Sequence, residues 1–297
     1  MKTKSLLTIM AIMLCCYLCR AQNVPVDSVL IYRLLKDISI RNTFDEDVSK
    51  VTPAQFMFTI PRSGEKSYLV DGGIAYTLGY LKNYTAKAIV EYHKNTMIEK
   101  EQDNFSVGYS GLYYTTIHPI NVMLTHNLTF VDDGRKSDRS IVFVGNLSPY
   151  STKRKIRFNA PGNFGDSRFG YLLTPNIGTE IQQVLKSLLP EREGTIFRGT
   201  ADFSGAISFL QKNPDPINTI APRILQLSFS YTLRRAFSDN TSVGERKTEL
   251  LKAGADFFIL DKTTKQVSLG LAFKKGSNPL KGLDSQQYWQ FSVNVQL

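Results

Sequence analysis

Beyond residue 19 the sequence has no cysteine, because Cys15, Cys16 and Cys19 all lie in its first 21 residues. That excludes a disulfide framework, a thiolate metal site and a cysteine nucleophile from the rest of the chain. Histidine is nearly as scarce. His93, His118 and His126 are scattered without ligand spacing, so no metal site and no cofactor is expected. After the leader there is no uninterrupted apolar run of roughly 18 residues, so no membrane-spanning helix is expected. There is also no fixed-period repeat, low-complexity tract or sign of a second domain.

The leader itself, MKTKSLLTIMAIMLCCYLCRA, has Lys2 and Lys4, an apolar run from Leu6 to Cys19, and the small residue Ala21 before Gln22. This is the pattern of a signal peptide over 1–21, with cleavage after Ala21. Removing Lys2, Lys4 and Arg20 from 36 basic residues leaves 33 against 26 acidic ones, a charge of +7. For an exported chain, nucleic acid is not the expected partner of that charge. Anionic lipid headgroups or anionic solutes are.

What the remainder has in abundance is alternation. In LQLSFSYTLR, Leu225, Leu227, Phe229, Tyr231 and Leu233 share one face, opposed by Gln226, Ser228, Ser230, Thr232 and Arg234. The chain's last ten residues, YWQFSVNVQL, put Trp289, Phe291, Val293, Val295 and Leu297 on one parity and polar residues on the other. Period-2 patterns of this kind are strands with one oily and one wet face. They predict strands at 54–61, 67–81, 85–95, 105–117, 119–132, 139–147, 153–160, 165–173, 176–185, 195–210, 223–236, 248–260, 265–275 and 286–297. The weakest patterns are 54–61, 153–160 and 165–173, so about 14 strands are expected, with 12 as the smaller count.

Many of these segments reach ten residues or more, the length that crosses a bilayer at a tilt. Strands of a soluble sandwich are usually shorter. The wet face is rich in Ser, Thr, Gly, Asn and Gln rather than in Lys and Glu. The expected fold is therefore all-β, a transmembrane antiparallel β-barrel over 54–297, in which closure leaves no edge in lipid. Residues 22–53 precede it as a periplasmic N-terminal extension or a plug in the lumen. With both termini periplasmic, IHP near 118, TPN at 174–176 and DKTT at 261–264 read as short periplasmic turns. NTMIEKEQDN, VDDGRKSD, FSDNTSVGERKT and KKGSNPLKGLDSQQ read as external loops, and the long connector at 211–222 breaks the alternation.

Leader, long alternating strands and aromatic-rich last strand together resemble Gram-negative outer-membrane β-barrel proteins of the kind found in the Bacteroidota. The resemblance implies a location in the outer membrane and contact with its lipid. It also implies the barrel assembly machinery as a partner, which in that class reads the final strand. WQFSVNVQL resembles such a signal, with Leu297 where the class usually ends in Phe. No subfamily is implied.

On this reading Trp289, Phe291, Val293, Val295 and Leu297 face lipid. Arg198, Arg234, Lys252 and Lys274 fall on the polar parity near the external ends of their strands, and are expected to form a basic cluster at the lumen's mouth. Asp202 and Asp256 lie one step deeper as acidic counter-charges. Two functions stay open: a pore or ligand-selective channel, passing an anionic solute, and a filled barrel that serves an envelope protein complex as a structural or assembly partner. A lipid-modifying barrel enzyme is a third, since His93, Glu91 and Ser110 could meet across strands, but no catalytic residue is assigned. The run STKRKIR, with Lys153, Arg154, Lys155 and Arg157, reads as a lipid-phosphate contact or as solvated turn charges.

Overall fold

A computed structural model describes residues 37–41, 44, 55–59, 67–117, 120–151, 156–164, 168–211, 221–241, 246–261 and 266–296. Strands account for most of these residues. Two short ones come first, β1 (Ile38–Arg41) and β2 (Gln55–Thr59). Five long ones follow: β3 (Ser67–Leu81), β4 (Tyr84–Asn95), β5 (Gln102–Ile117), β6 (Ile120–Asp133) and β7 (Asp138–Tyr150). After the two-residue β8 (Gly162–Asn163) come β9 (Phe169–Lys186), β10 (Gly194–Leu210) and β11 (Arg223–Asp239). The chain ends with β12 (Lys247–Asp261), β13 (Gln266–Asn278) and β14 (Leu283–Gln296). All belong to one 14-stranded sheet, in which each long strand pairs antiparallel with the long strand before it.

The sheet curls so that its polar face turns inward. On β4, Ile89, Glu91, His93 and Asn95 are buried, as are Asn104 and Ser106 on β5 and Asn127 and Thr129 on β6. The opposite parity carries a continuous apolar exterior, including Ile74, Tyr76 and Leu78 on β3, Phe203 and Ile207 on β10, and Phe229 on β11. An exposed apolar surface of that extent suits hydrocarbon and not water. The fold is a transmembrane antiparallel β-barrel, and among the described residues no helix is long and apolar enough to cross a membrane. Contacts across the interior confirm the curl. Lys136, between β6 and β7, places Nζ 2.6 Å from Asp284 Oδ1 on β14. Gln102 on β5 donates to the Lys281 carbonyl at 2.6 Å.

A seam lies between the first and last long strands. β2 pairs with β3 on the edge away from β4, Gln55 opposite Asp71 and Thr59 opposite Ser67, and lies alongside β14. No ladder joins β14 to it among the described residues, so β14 borders the seam without closing the sheet.

Two strand expectations need correction. Described residues of 153–160 make only one bridge, Ser151 to Phe158. Asn159 is in the left-handed region (φ 53°) and Pro161 follows, which ends any ladder there. The expected turn at 174–176 is absent, and the two strands around it are one, β9, with Pro175 at its middle opposite Phe203. The reason lies in which side Pro175 turns its missing N–H. The carbonyl of Leu173 accepts from Asn159 N–H at 2.9 Å, on the side away from β10. Pro175, two residues on, faces the same way, where pairing with β7 has stopped at Leu147 opposite Ile177. The β9–β10 ladder therefore loses no hydrogen bond.

Loop lengths are less one-sided than expected. The end at which β14 finishes has the two-residue connectors 82–83 and 118–119, but also the longest ones, 151–168 and 211–222.

Candidate functional site: the lumen

Three groups of side chains fill the interior. At the first, Arg198 and Arg234 converge on Glu180 of β9. Arg234 Nε donates to Glu180 Oε1 at 2.7 Å, while Arg198 Nη1 stands 4.0 Å from Oε2 and donates to Gln182 Oε1 at 3.0 Å. All three are almost fully buried. Register puts Arg198 directly across the ladder from Glu180. Arg234 opposes Thr200 on β10, so it reaches Glu180 over that intervening strand.

Lys252 and Lys274 are elsewhere. They are direct cross-strand partners of each other on β12 and β13. Arg234 opposes Thr248, so Lys252 lies four residues farther along β12, about 13 Å of strand. The four cations therefore do not form one ring at one level, as expected from the sequence, but two separate pairs. Their expected counter-charges also make other contacts. Asp202 accepts from Thr232 Oγ1 at 2.5 Å and Asp256 from Asn294 Nδ2 at 2.9 Å. Glu180 was missed by the sequence reading, and its signal was a lone acid on the polar parity of a strand two away from an arginine.

The second group surrounds His93. Its Nδ1 bonds Asp71 and its Nε2 lies 3.3 Å from Glu91 Oε2. Glu91 Oε1 accepts the Phe44 N–H at 2.5 Å, and Asn127 Nδ2 donates to the Phe44 carbonyl at 3.3 Å. The Phe44 ring packs with Ala75 and Ile89. Thus Phe44, from the stretch 22–53, sits inside the lumen; the rest of 42–53 lies outside the described residues. Ser110 opposes Lys87 and is six residues along β5 from Asn104, the partner of His93, so the trio of His93, Glu91 and Ser110 does not assemble. Among the described residues no cluster has metal-ligating geometry.

The third group is the β13–β14 turn, which folds into the barrel. A register shift after Gly276 (φ 119°) and the left-handed Gly282 (φ 65°) bend it inward. A Cβ on Gly276 would lie 1.9 Å from the Glu249 carbonyl oxygen, so only glycine fits. Leu280 is thereby buried among Val131, Val142 and Val144, and Leu283 beside Ile98 and Leu250. Lys281 comes within electrostatic range of Asp71 and Glu91.

Between these groups runs a cavity of about 220 Å³. Gln266 and Asn278, the first and last residues of β13, both line it, so it follows that strand end to end. Its charged lining includes Lys252, Lys274, Lys281 and Arg223 against Asp71 and Asp256. Arg223 is held by Asp261, Nη2 to Oδ1 at 2.9 Å.

No family model and no curated protein matches the chain. One solved structure is similar, the NanC porin in a rhombohedral crystal form, at TM-score 0.40 and 10% identity, over 82% of this chain and 98% of that one.

On the outside of β14, Trp289, Phe291 and Val293 are 66%, 70% and 59% exposed. The side chain of Val295, and Leu297 altogether, lie outside the described residues.

Proposed function

We propose that the chain is an outer-membrane channel for small polar solutes, with a preference for anions set by Lys252, Lys274 and Lys281. The observation that carries this reading is the cavity running the length of β13 with Lys252, Lys274 and Lys281 in its wall. Two directly opposed lysines on one ladder repel each other, and a low-dielectric wall around them focuses their field on whatever passes. The Arg198 and Arg234 pair contributes less to that field, because Glu180 neutralises part of it. The 1–21 leader supplies the route out of the cytoplasm.

Reconstitution in a planar bilayer under a salt gradient is the test. The expected result is conductance with a reversal potential on the anion side, inverted by Lys252→Glu with Lys274→Glu. Cation preference in the unaltered protein would sink the electrostatic part.

A second reading is favoured by Phe44 and the 279–281 turn, both of which occupy the lumen. It makes the protein a filled barrel that serves an envelope complex. A correctly folded barrel with no conductance would decide for it.

A further inference from the structure

On the outer wall, near the end where β14 finishes, part of the β7–β9 connector stays in the sheet. Residues 156–164 occupy the edge of β9 that β7 vacates. Gly162 and Asn163 pair with Tyr171 and Gly170, and the Arg157 N–H donates to the Tyr171 hydroxyl at 3.1 Å. The Phe164 ring packs on Tyr171 with centroids 4.8 Å apart. Beside this strap is a groove of about 680 Å³, flanked by Ile156 and Phe164 and floored by Leu173, Gly205, Ile207 and Phe229. Gly205 makes the hollow, because it interrupts the outward row of Phe203, Ile207 and Phe209 and brings no side chain to it.

The groove's floor lies within one leaflet's depth of the strand ends. Leu173 is four residues from the start of β9 and Gly205 five from the end of β10, about 13 to 17 Å of strand. Half of a hydrocarbon core is about 15 Å. At the strand ends the charge turns basic. Arg157 is exposed on the strap, with Nη1 on the Pro161 carbonyl at 3.1 Å, and Arg168 is exposed just before β9.

We propose that this groove is a binding site for one anionic phospholipid, with an acyl chain laid over Gly205 and the phosphate at Arg157. The site requires the barrel to stand in a bilayer but is independent of whether the lumen conducts. It is distinct from the surrounding annular lipid because the strap walls one side and its basic end selects the headgroup.

The detergent-solubilised barrel is titrated with phosphatidylglycerol or phosphatidylcholine, and bound lipid is counted by native mass spectrometry. One phosphatidylglycerol per barrel should be retained in preference to phosphatidylcholine. Gly205→Leu fills the hollow and should abolish retention of both. Arg157→Glu should lower the preference for phosphatidylglycerol about tenfold and leave phosphatidylcholine unchanged. Heat-dependent gel mobility reports the fold of each variant, and if Gly205→Leu fails to fold, Arg157→Glu decides. Equal retention of the two lipids by the unaltered protein overturns the proposal, as does a tenfold preference that survives Arg157→Glu. Loss of conductance with lipid retention intact would count against the channel alone.

Discussion

Glu180 holds two guanidinium groups in a space that water hardly enters, and its removal is therefore more costly than its contacts suggest. Glu180→Gln keeps the shape but takes away the buried negative charge that Arg198 and Arg234 share. Breaking a buried pair from one side costs about 3 to 5 kcal/mol. The denaturant midpoint of the vesicle-reconstituted barrel should fall accordingly, and an unchanged midpoint would mean that water reaches this cluster. Faces can be told apart in the same way. Val293→Asp puts a charge on the lipid-facing outer wall, at a cost below the roughly 2 to 4 kcal/mol of a basic residue at mid-bilayer, and should impair assembly. Ser228→Asp, which lines the lumen cavity, should be tolerated. Asn294→Asp would not serve as the comparison, because Asn294 donates to Asp256 and a carboxylate there would meet another. Equal loss of assembly in Val293→Asp and Ser228→Asp would reverse the assignment of the two faces.

Pro175 shows that a strand tolerates proline by side and not by position. Exchanging its order with its neighbour, Thr174→Pro with Pro175→Thr, turns the missing N–H toward β10, where the Thr174 carbonyl already faces Ser204 Oγ at 3.5 Å. The expected outcome is loss of the compact, heat-modifiable band, whereas Pro175→Thr alone should keep it. The same residue marks the limit of reading elements from sequence. Alternation is local, so 67–81 and 195–210 could be bounded almost to the residue from side-chain parity alone. TPN carries a turn signal of equal strength, and what overrides it is the vacancy left on one side by β7, which no local pattern records. The inward course of the β13–β14 turn was illegible for a similar reason. KKGSNPLKG reads as a solvated loop until Gly276 and Gly282 are seen to bend Leu280 into a pocket of valines from β6 and β7. Arg198 and Arg234 were found from parity, but their partner depends on register across β9, β10 and β11, which alternation alone does not fix.

At the scale of the molecule, a curled sheet of neighbour-paired strands should migrate in two forms on a gel. Unheated samples should run as the compact barrel and boiled ones as the extended chain, and a single mobility at all temperatures would count against the fold. The seam adds a kinetic consequence. From β3 to β14 every long ladder joins strands adjacent or nearly adjacent in sequence, so each pairing closes a short loop. Such contacts form quickly, and the chain can add hairpins one after another in the order of the sequence. Bringing β14 beside β2 is different, since it closes a loop of more than 200 residues whose entropy is repaid only by contacts made across the seam. Assembly should therefore accumulate an open, fully hairpinned sheet, whose exposed edge strands are the species most liable to pair with another molecule.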